Sequence, residues 1–185
     1  RRPHFVFMQM DWEDYKRRFV AEADEKGRSE QFILDCLAYA EPLIRAGLPI
    51  IYDQEHLAHI LGFETSALRS ALRDSSALYY EFNIPKRRFG YRTISAPYSS
   101  LREIQRWILV HILDKCGHHA AATAFIKGRS IKLNAEAHMC QRVVLSLDIR
   151  DYFPSISAPR VKGVYQKLGY TSDVAETLMQ LTTLR

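Results

Sequence analysis

Apolar residues recur at helical spacing through the front of the chain. In residues 11–26, Trp12, Tyr15 and Phe19 punctuate an otherwise charged stretch, and Gly27 supplies a stop. Residues 29–46 repeat the pattern. Ser29 is a good N-cap, and Phe32, Ile33, Cys36, Leu37 and Ala40 share one face. Gly47 ends that helix and Leu48-Pro49 turns the chain. A third helix is predicted from Asp53, an N-cap with Glu55 near the positive end, to Gly62. A fourth fits 65–73, capped by Thr65.

At Tyr79 the period changes. Residues 79–84 alternate, with Tyr80, Phe82 and Ile84 on one face, as in a strand. Pro85 to Gly90 reads as a turn, 91–95 as the returning strand, and Ala96-Pro97 as its stop. Residues 99–116 are amphipathic, with Leu101, Ile104, Ile108 and Ile112 on one side and Arg102 and Arg106 one turn apart on another. Residues 117–129 are small and glycine-containing, a loop. A short helix over Ser130 to Cys140 and a β-branched strand over 142–148 follow. Ile149 to Ile156 is a turn or short helix, and 157–169 and 172–183 are two more helices. The order of helices, hairpin, helix, strand and helices is α+β rather than a βαβ repeat.

The chain has 185 residues, 47% of them apolar and 25% charged, which suits a folded domain and excludes global disorder. No apolar run approaches the roughly 18 residues of a membrane span, and no signal-type apolar stretch follows the N-terminal arginines. No membrane partner is therefore expected. Cys36, Cys116 and Cys140 are isolated, without a CxxC pair, and suit reduced, buried thiols in a cytoplasmic protein. The chain starts Arg1-Arg2 without a methionine and ends at Leu184-Arg185 without a turn signal, so a piece of a longer protein is expected.

Charge divides unevenly. Residues 1–80 hold 10 Lys/Arg and 13 Asp/Glu, net −3, whereas 81–185 hold 16 and 8, net +8. The second half is the expected contact surface for a polyanion, with plain solubility as the alternative.

Three constellations could carry chemistry. The strand terminus Leu147 to Ile156 places Asp148 on the face of Val144 and Ser146, where a carboxylate can serve a hard divalent ion or cap the next helix. Asp151 lies past the strand. The hairpin turn carries Lys86, Arg87 and Arg88, with Arg92 inside the returning strand, suited to a triphosphate or a backbone phosphate, or merely to solvent. Gly128-Arg129-Ser130-Ile131 precedes Asn134 and His138, which share a helix face at i, i+4 and can hydrogen-bond a nucleic-acid backbone. His118-His119 reads as surface. No GxxxxGK[ST], HExxH, GxSxG or GxGxxG occurs.

Together and in this order, these pieces resemble the front half of a retron-type bacterial reverse transcriptase. FNIPKRRFGYRTISAPYSSLREIQRWIL (82–109) resembles the first block of bacterial reverse transcriptases, AFIKGRSIKLNA (124–135) the second, and VVLSLDIRDYFPSIS (143–157) the block with the first metal-binding aspartate. NAxxH at 134–138 resembles a retron hallmark, and LPIIYDQEHLAHILG (48–62) also looks retron-like. The resemblance implies a helical N-terminal region (1–78), the fingers of a right-hand polymerase (79–141) and the beginning of its palm (142–185).

It implies Asp148 and the Ile149 carbonyl as Mg²⁺ ligands, with Asp148 catalytic. It implies Lys86 and Arg92 on the incoming triphosphate, and Phe153 as the aromatic that rejects a 2′-OH. Arg87, Arg88, Arg102, Arg106, Lys127, Arg129, Lys132, Asn134 and His138 are the expected RNA contacts. The implied partners are a structured non-coding RNA template and its DNA product, deoxynucleoside triphosphates and, for anti-phage defence, an effector protein. The YxDD box, the thumb and the VTG triplet of the family are not in this sequence, so the chain alone should not polymerise. Two other expectations stand beside this one: a group II intron or other defence-associated reverse transcriptase, and a non-catalytic RNA-binding scaffold.

Overall fold

The computed structural model describes residues 11–74, 76–86 and 89–184. Four helices open it: α1 (Trp12–Glu25), α2 (Glu30–Arg45), α3 (Gln54–Leu61) and α4 (Thr65–Arg73). Their starts are fixed by local chemistry. Asp11, Ser29 and Asp53 each accept a hydrogen bond from a first-turn amide, from Glu13, Phe32 and His56 respectively. α4 departs from expectation. Its N-cap is Glu64, without a side-chain cap bond, and Thr65 is already helical.

Gly27, Gly47 and Gly62 end α1, α2 and α3 at the predicted positions. At Gly47 the backbone turns left-handed (φ 69°), so that the Leu48 amide reaches back to the Leu43 carbonyl at 2.8 Å. That arrangement satisfies a carbonyl the helix leaves open, at a φ that glycine adopts without a Cβ clash.

A hairpin follows. β1 (Tyr79–Pro85) pairs antiparallel with β2 (Tyr91–Pro97), from Tyr79 opposite Pro97 to Pro85 opposite Tyr91. β2 runs two residues past the expected 91–95 and ends at Pro97, whose missing N–H is tolerated at the end of an edge strand. One face carries Tyr80, Phe82, Ile84, Arg92 and Ile94, and the other pairs Asn83 with Thr93 and Glu81 with Ser95 through side chains. Helix α5 (Ser99–His111) comes next, followed by a 3-10 turn over Leu113–Lys115. Leu101, Ile104, Ile108 and Ile112 are buried as the pattern requires.

The remaining helices are α6 (Ile131–Glu136), α7 (Ala158–Lys167) and α8 (Ser172–Thr182). α8 is the centre of the molecule, burying Val174, Ala175, Leu178, Met179 and Leu181 against α4, α5 and α7. The core extends to Leu43 of α2 and to Ile51 and Leu57 around α3. Polar ties lock the layers. Gln105 on α5 donates to the Tyr79 hydroxyl and to the Leu181 carbonyl, both at 2.9 Å. Tyr170 donates to the Pro49 carbonyl at 3.0 Å. Among the described residues no buried side-chain polar atom lacks a partner.

A smaller cluster joins α1 to α2 through Ala23, Ile33 and Leu37, covered by Trp12, Tyr15 and Phe19. Tyr52 connects it to the core, with its hydroxyl 2.6 Å from that of Tyr15 and its ring stacked on His56. Burial raises the pKa of Tyr15 and Tyr52 and pushes Tyr39 up to about 12. Phe32, expected on the buried face of α2, is exposed and lies under the Arg28 guanidinium instead.

Two further expectations fail. Residues 142–148 are not a strand. A strand is completed only by hydrogen bonds to a neighbour, and among the described residues the one sheet is β1 with β2. Val143 and Leu147 are accordingly 85% and 83% exposed. The thiols are not deeply buried either. Cys36 and Cys116 are half-buried and Cys140 is exposed.

Candidate functional site

Three surfaces hold the residues singled out from the sequence. On the hairpin, the Lys86 amide donates to the Gly90 carbonyl at 2.9 Å and closes the loop. Its side chain and that of Arg92 are exposed. Arg92 pairs opposite Ile84, which puts it on the face that carries Phe82 and Tyr80. Tyr80 stacks on Phe82 at 5.9 Å and meets Tyr98 at 5.3 Å, so the hairpin face is an aromatic plate with Arg92 towards its tip. Arg87 and Arg88 lie outside the described residues. Arg102 and Arg106 stand on the exposed flank of α5, whose opposite side is anchored in the core.

The second surface is the loop before α6 and the helix itself. Lys127 and Arg129 sit in a turn closed by the Arg129 amide on the Ile126 carbonyl at 3.1 Å. Ser130 caps α6 by accepting from the Leu133 amide at 3.1 Å. Lys132 leans on Glu136 at 3.7 Å, which partly neutralises it. The helix is shorter than expected. It stops at Glu136, and the His138 amide bonds to Ala135 in a turn, so Asn134 and His138 do not share a helix face. A helix of six residues with no buried side chain lacks the packing that would extend it.

The third surface is 148–156. Asp148 is exposed and is followed by turns, and Ser157, without a side-chain cap bond, holds the N-cap position of the next helix, so Asp148 does not cap it. Its carboxylate and the Ile149 carbonyl are hard oxygen donors of the kind Mg²⁺ takes. Among the described residues no group of three or more His, Cys, Asp or Glu could hold a metal, so these two donors form part of a site at most. Asp151 has a left-handed backbone (φ 50°). Phe153 is 67% exposed.

The second and third surfaces meet. Phe125 and Phe153 lie edge to face, with ring centroids 6.3 Å apart and planes at 77°. In the sequence Phe125 falls within the 117–129 loop and no role of its own is expected for it. The available signal was a lone aromatic in a run of small and charged residues.

No protein-family model matches the chain. Relatives are found among curated proteins. The retron Mx65 reverse transcriptase of Myxococcus xanthus is 36% identical over 178 residues, 94% of this chain and 41% of that protein. The retron Mx162 reverse transcriptase of the same organism is 38% identical over 141 residues, 74% of this chain and 29% of that protein. The retron Ec86 reverse transcriptase of Escherichia coli is 30% identical over 137 residues, 73% of this chain and 43% of that protein. The chain therefore spans well under half the length of each of these relatives.

Proposed function

We propose that this chain, a retron-type reverse transcriptase by its similarity to those relatives over most of its length, supplies the nucleotide-facing front of an RNA-directed DNA polymerase. The observation that carries this reading is the 36% identity across 94% of the chain to a protein of that activity. In this reading, 1–78 is a helical support, 79–141 the fingers and 142–185 the beginning of the palm. The complete protein copies a structured non-coding RNA into DNA joined to or paired with RNA, acts with an effector protein in anti-phage defence, and works in the cytoplasm.

Each exposed group then has a task. Lys86 and Arg92 bind the triphosphate of the incoming deoxynucleotide, with the arginine fork suited to phosphate oxygens. Phe153 stands against the sugar and excludes a 2′-OH. Asp148 and the Ile149 carbonyl hold Mg²⁺, which when bound stabilises the attacking and leaving oxygens of an in-line displacement. Arg87, Arg88, Arg102, Arg106, Lys127, Arg129 and Lys132 track RNA phosphates, while Asn134 and His138 add recognition of the cognate RNA. Residues 142–148, exposed here and rich in β-branched side chains, become a palm strand when paired with a further strand of the complete enzyme.

The test is Asp148→Asn in the full-length enzyme. A Lewis-acid contribution of several kcal/mol corresponds to about three orders of magnitude in rate or more. DNA synthesis on an RNA template should fall by that factor, with RNA affinity within about twofold of wild type because an exposed Asp148 holds no part of the core together. Retained synthesis would overturn the metal assignment.

A further inference from the structure

Among the described residues three non-glycine positions have a left-handed backbone: Phe125 (φ 58°), Cys140 (φ 61°) and Asp151 (φ 50°). For a bulky residue such as Phe this is an uncommon and unfavourable conformation, which persists only where its surroundings hold it. One of the three is itself a member of the edge-to-face pair of Phe125 with Phe153, and a second, Asp151, lies two residues before Phe153. Phe153 also meets the Tyr152 ring edge to face, with centroids 5.4 Å apart at 72°. Its ring is therefore contacted by two aromatic partners, in the geometry that the ring quadrupole favours.

Both carriers of the pair are turns closed by their own hydrogen bonds. After Phe125, the Arg129 amide bonds to the Ile126 carbonyl, with Gly128 at φ 79° in the third position, where a type II turn requires a positive φ. Around Phe153, the Asp151 carbonyl accepts from the Ser155 amide at 3.0 Å and the Phe153 carbonyl from the Ile156 amide at 3.1 Å. The Ser155 hydroxyl donates to the Tyr152 carbonyl at 2.6 Å. Burial does not account for the pairing, since Phe125 is 94% exposed. The contact sets one exposed ring against another.

We infer that Phe125 is a positioning residue for Phe153: its ring, set nearly perpendicular to that of Phe153, holds the Phe153 ring at the angle that excludes a ribonucleotide sugar, so that Phe125 sets sugar selectivity without touching the nucleotide. This rests on the reading of Phe153 as the wall of the sugar pocket. The substrates discriminated are a deoxynucleoside triphosphate and the ribonucleoside triphosphate of the same base.

The experiment measures kcat and KM for both substrates in the full-length enzyme carrying Phe125→Ala, Phe125→Tyr, Phe153→Ala or both alanine changes. Phe125→Ala should reduce the preference for the deoxynucleotide roughly 2- to 12-fold, the factor that corresponds to losing one edge-to-face contact. The loss should come from a lower KM for the ribonucleotide, with kcat for the deoxynucleotide nearly unchanged. Phe125→Tyr, which keeps the aromatic ring, should restore the preference. In the Phe153→Ala background Phe125→Ala should add nothing.

If Phe153→Ala lowers the preference and Phe125→Ala does not, the positioning role is wrong and the sugar-wall reading stands. If Phe153→Ala leaves the preference unchanged, that reading fails and takes this inference with it. Additive losses in the double variant would mean that Phe125 acts on the nucleotide directly, which also overturns the inference. The preference is a ratio measured on one enzyme preparation, so a variant that folds poorly still reports it, and Phe125→Tyr provides a folded control.

Discussion

The helical core and the segment 117–157 hold similar apolar residues in opposite circumstances. In the core, Ile108, Ile112 and Leu178 are fully enclosed by α3 to α5, α7 and α8. In the segment, Val143, Leu145, Leu147, Ile149 and Phe153 are all exposed. Hydrophobicity is the same on both sides, so it does not explain the difference. Geometry does. A helix satisfies its backbone internally and needs only a face to rest on, whereas a strand needs a partner's N–H and C=O groups before its side chains can be covered. The proposed chemistry lies almost entirely in the uncovered segment and on the hairpin, while the core holds the most strongly shifted titratable groups. That separation matches the general placing of binding groups on loops carried by a rigid scaffold.

The most severe way to break the comparison is to remove side chains from both regions of this chain. Ile108→Ala should cost about 2–5 kcal/mol, as for other large-to-small changes in a packed core. Leu147→Ala should stay within about 0.5 kcal/mol, as for exposed positions. Denaturant unfolding of the two variants checks this, and a comparable loss at Leu147 would show that the segment has a packing partner.

A smaller effect separates the rigid cations from the looped ones. If Arg102 and Arg106 on α5 and Lys127 and Arg129 in the loop all face RNA phosphates, removing either pair from the full-length enzyme should flatten the logarithmic salt dependence of RNA binding by roughly 1–2. Titrations at several salt concentrations read the slope, and an unchanged slope would reduce that pair to solvated surface. Asn134→Ala should leave the slope alone and weaken the cognate RNA more than a generic duplex. Equal weakening on both would make Asn134 a structural element of α6.

The smallest effect concerns acid. His56 is partly buried, and its Nδ1 accepts the Tyr52 amide at 3.3 Å. Burial holds its pKa below the ordinary 6.5, aided by His59 and opposed by Asp53. The unfolded chain therefore takes up the proton first as pH falls. Stability is fully present above pH 6.5, is lost as pH drops from there towards the lowered folded value, and then levels off. His56→Gln should flatten that part of the profile. Hydrogen exchange should place the acid-induced loosening around Tyr52 and α3, with none added in 117–157. Loosening confined to 117–157 would contradict the assignment to His56.

Much of the helical architecture is written locally. Asp11, Ser29 and Asp53 start helices, Gly27, Gly47 and Gly62 end them, and the spacing of Leu101, Ile104, Ile108 and Ile112 selects the buried face of α5. The hairpin is equally legible from its alternation and its loop, and the blocks around Lys86, Arg129 and Asp148 carry the family resemblance in linear order. Each of these signals involves residues within a few positions of one another, so the chain alone determines them. Tertiary structure decided what depends on distant partners. Gln105 joins Tyr79 to Leu181, Tyr52 joins α1 to the core, and Phe125 meets Phe153 across 28 positions of chain. The same dependence leaves 142–148 without regular structure and uncovered although its pattern is that of a strand. Alternation fixes which side chains share a face, but a backbone ladder forms only where another segment supplies the complementary groups.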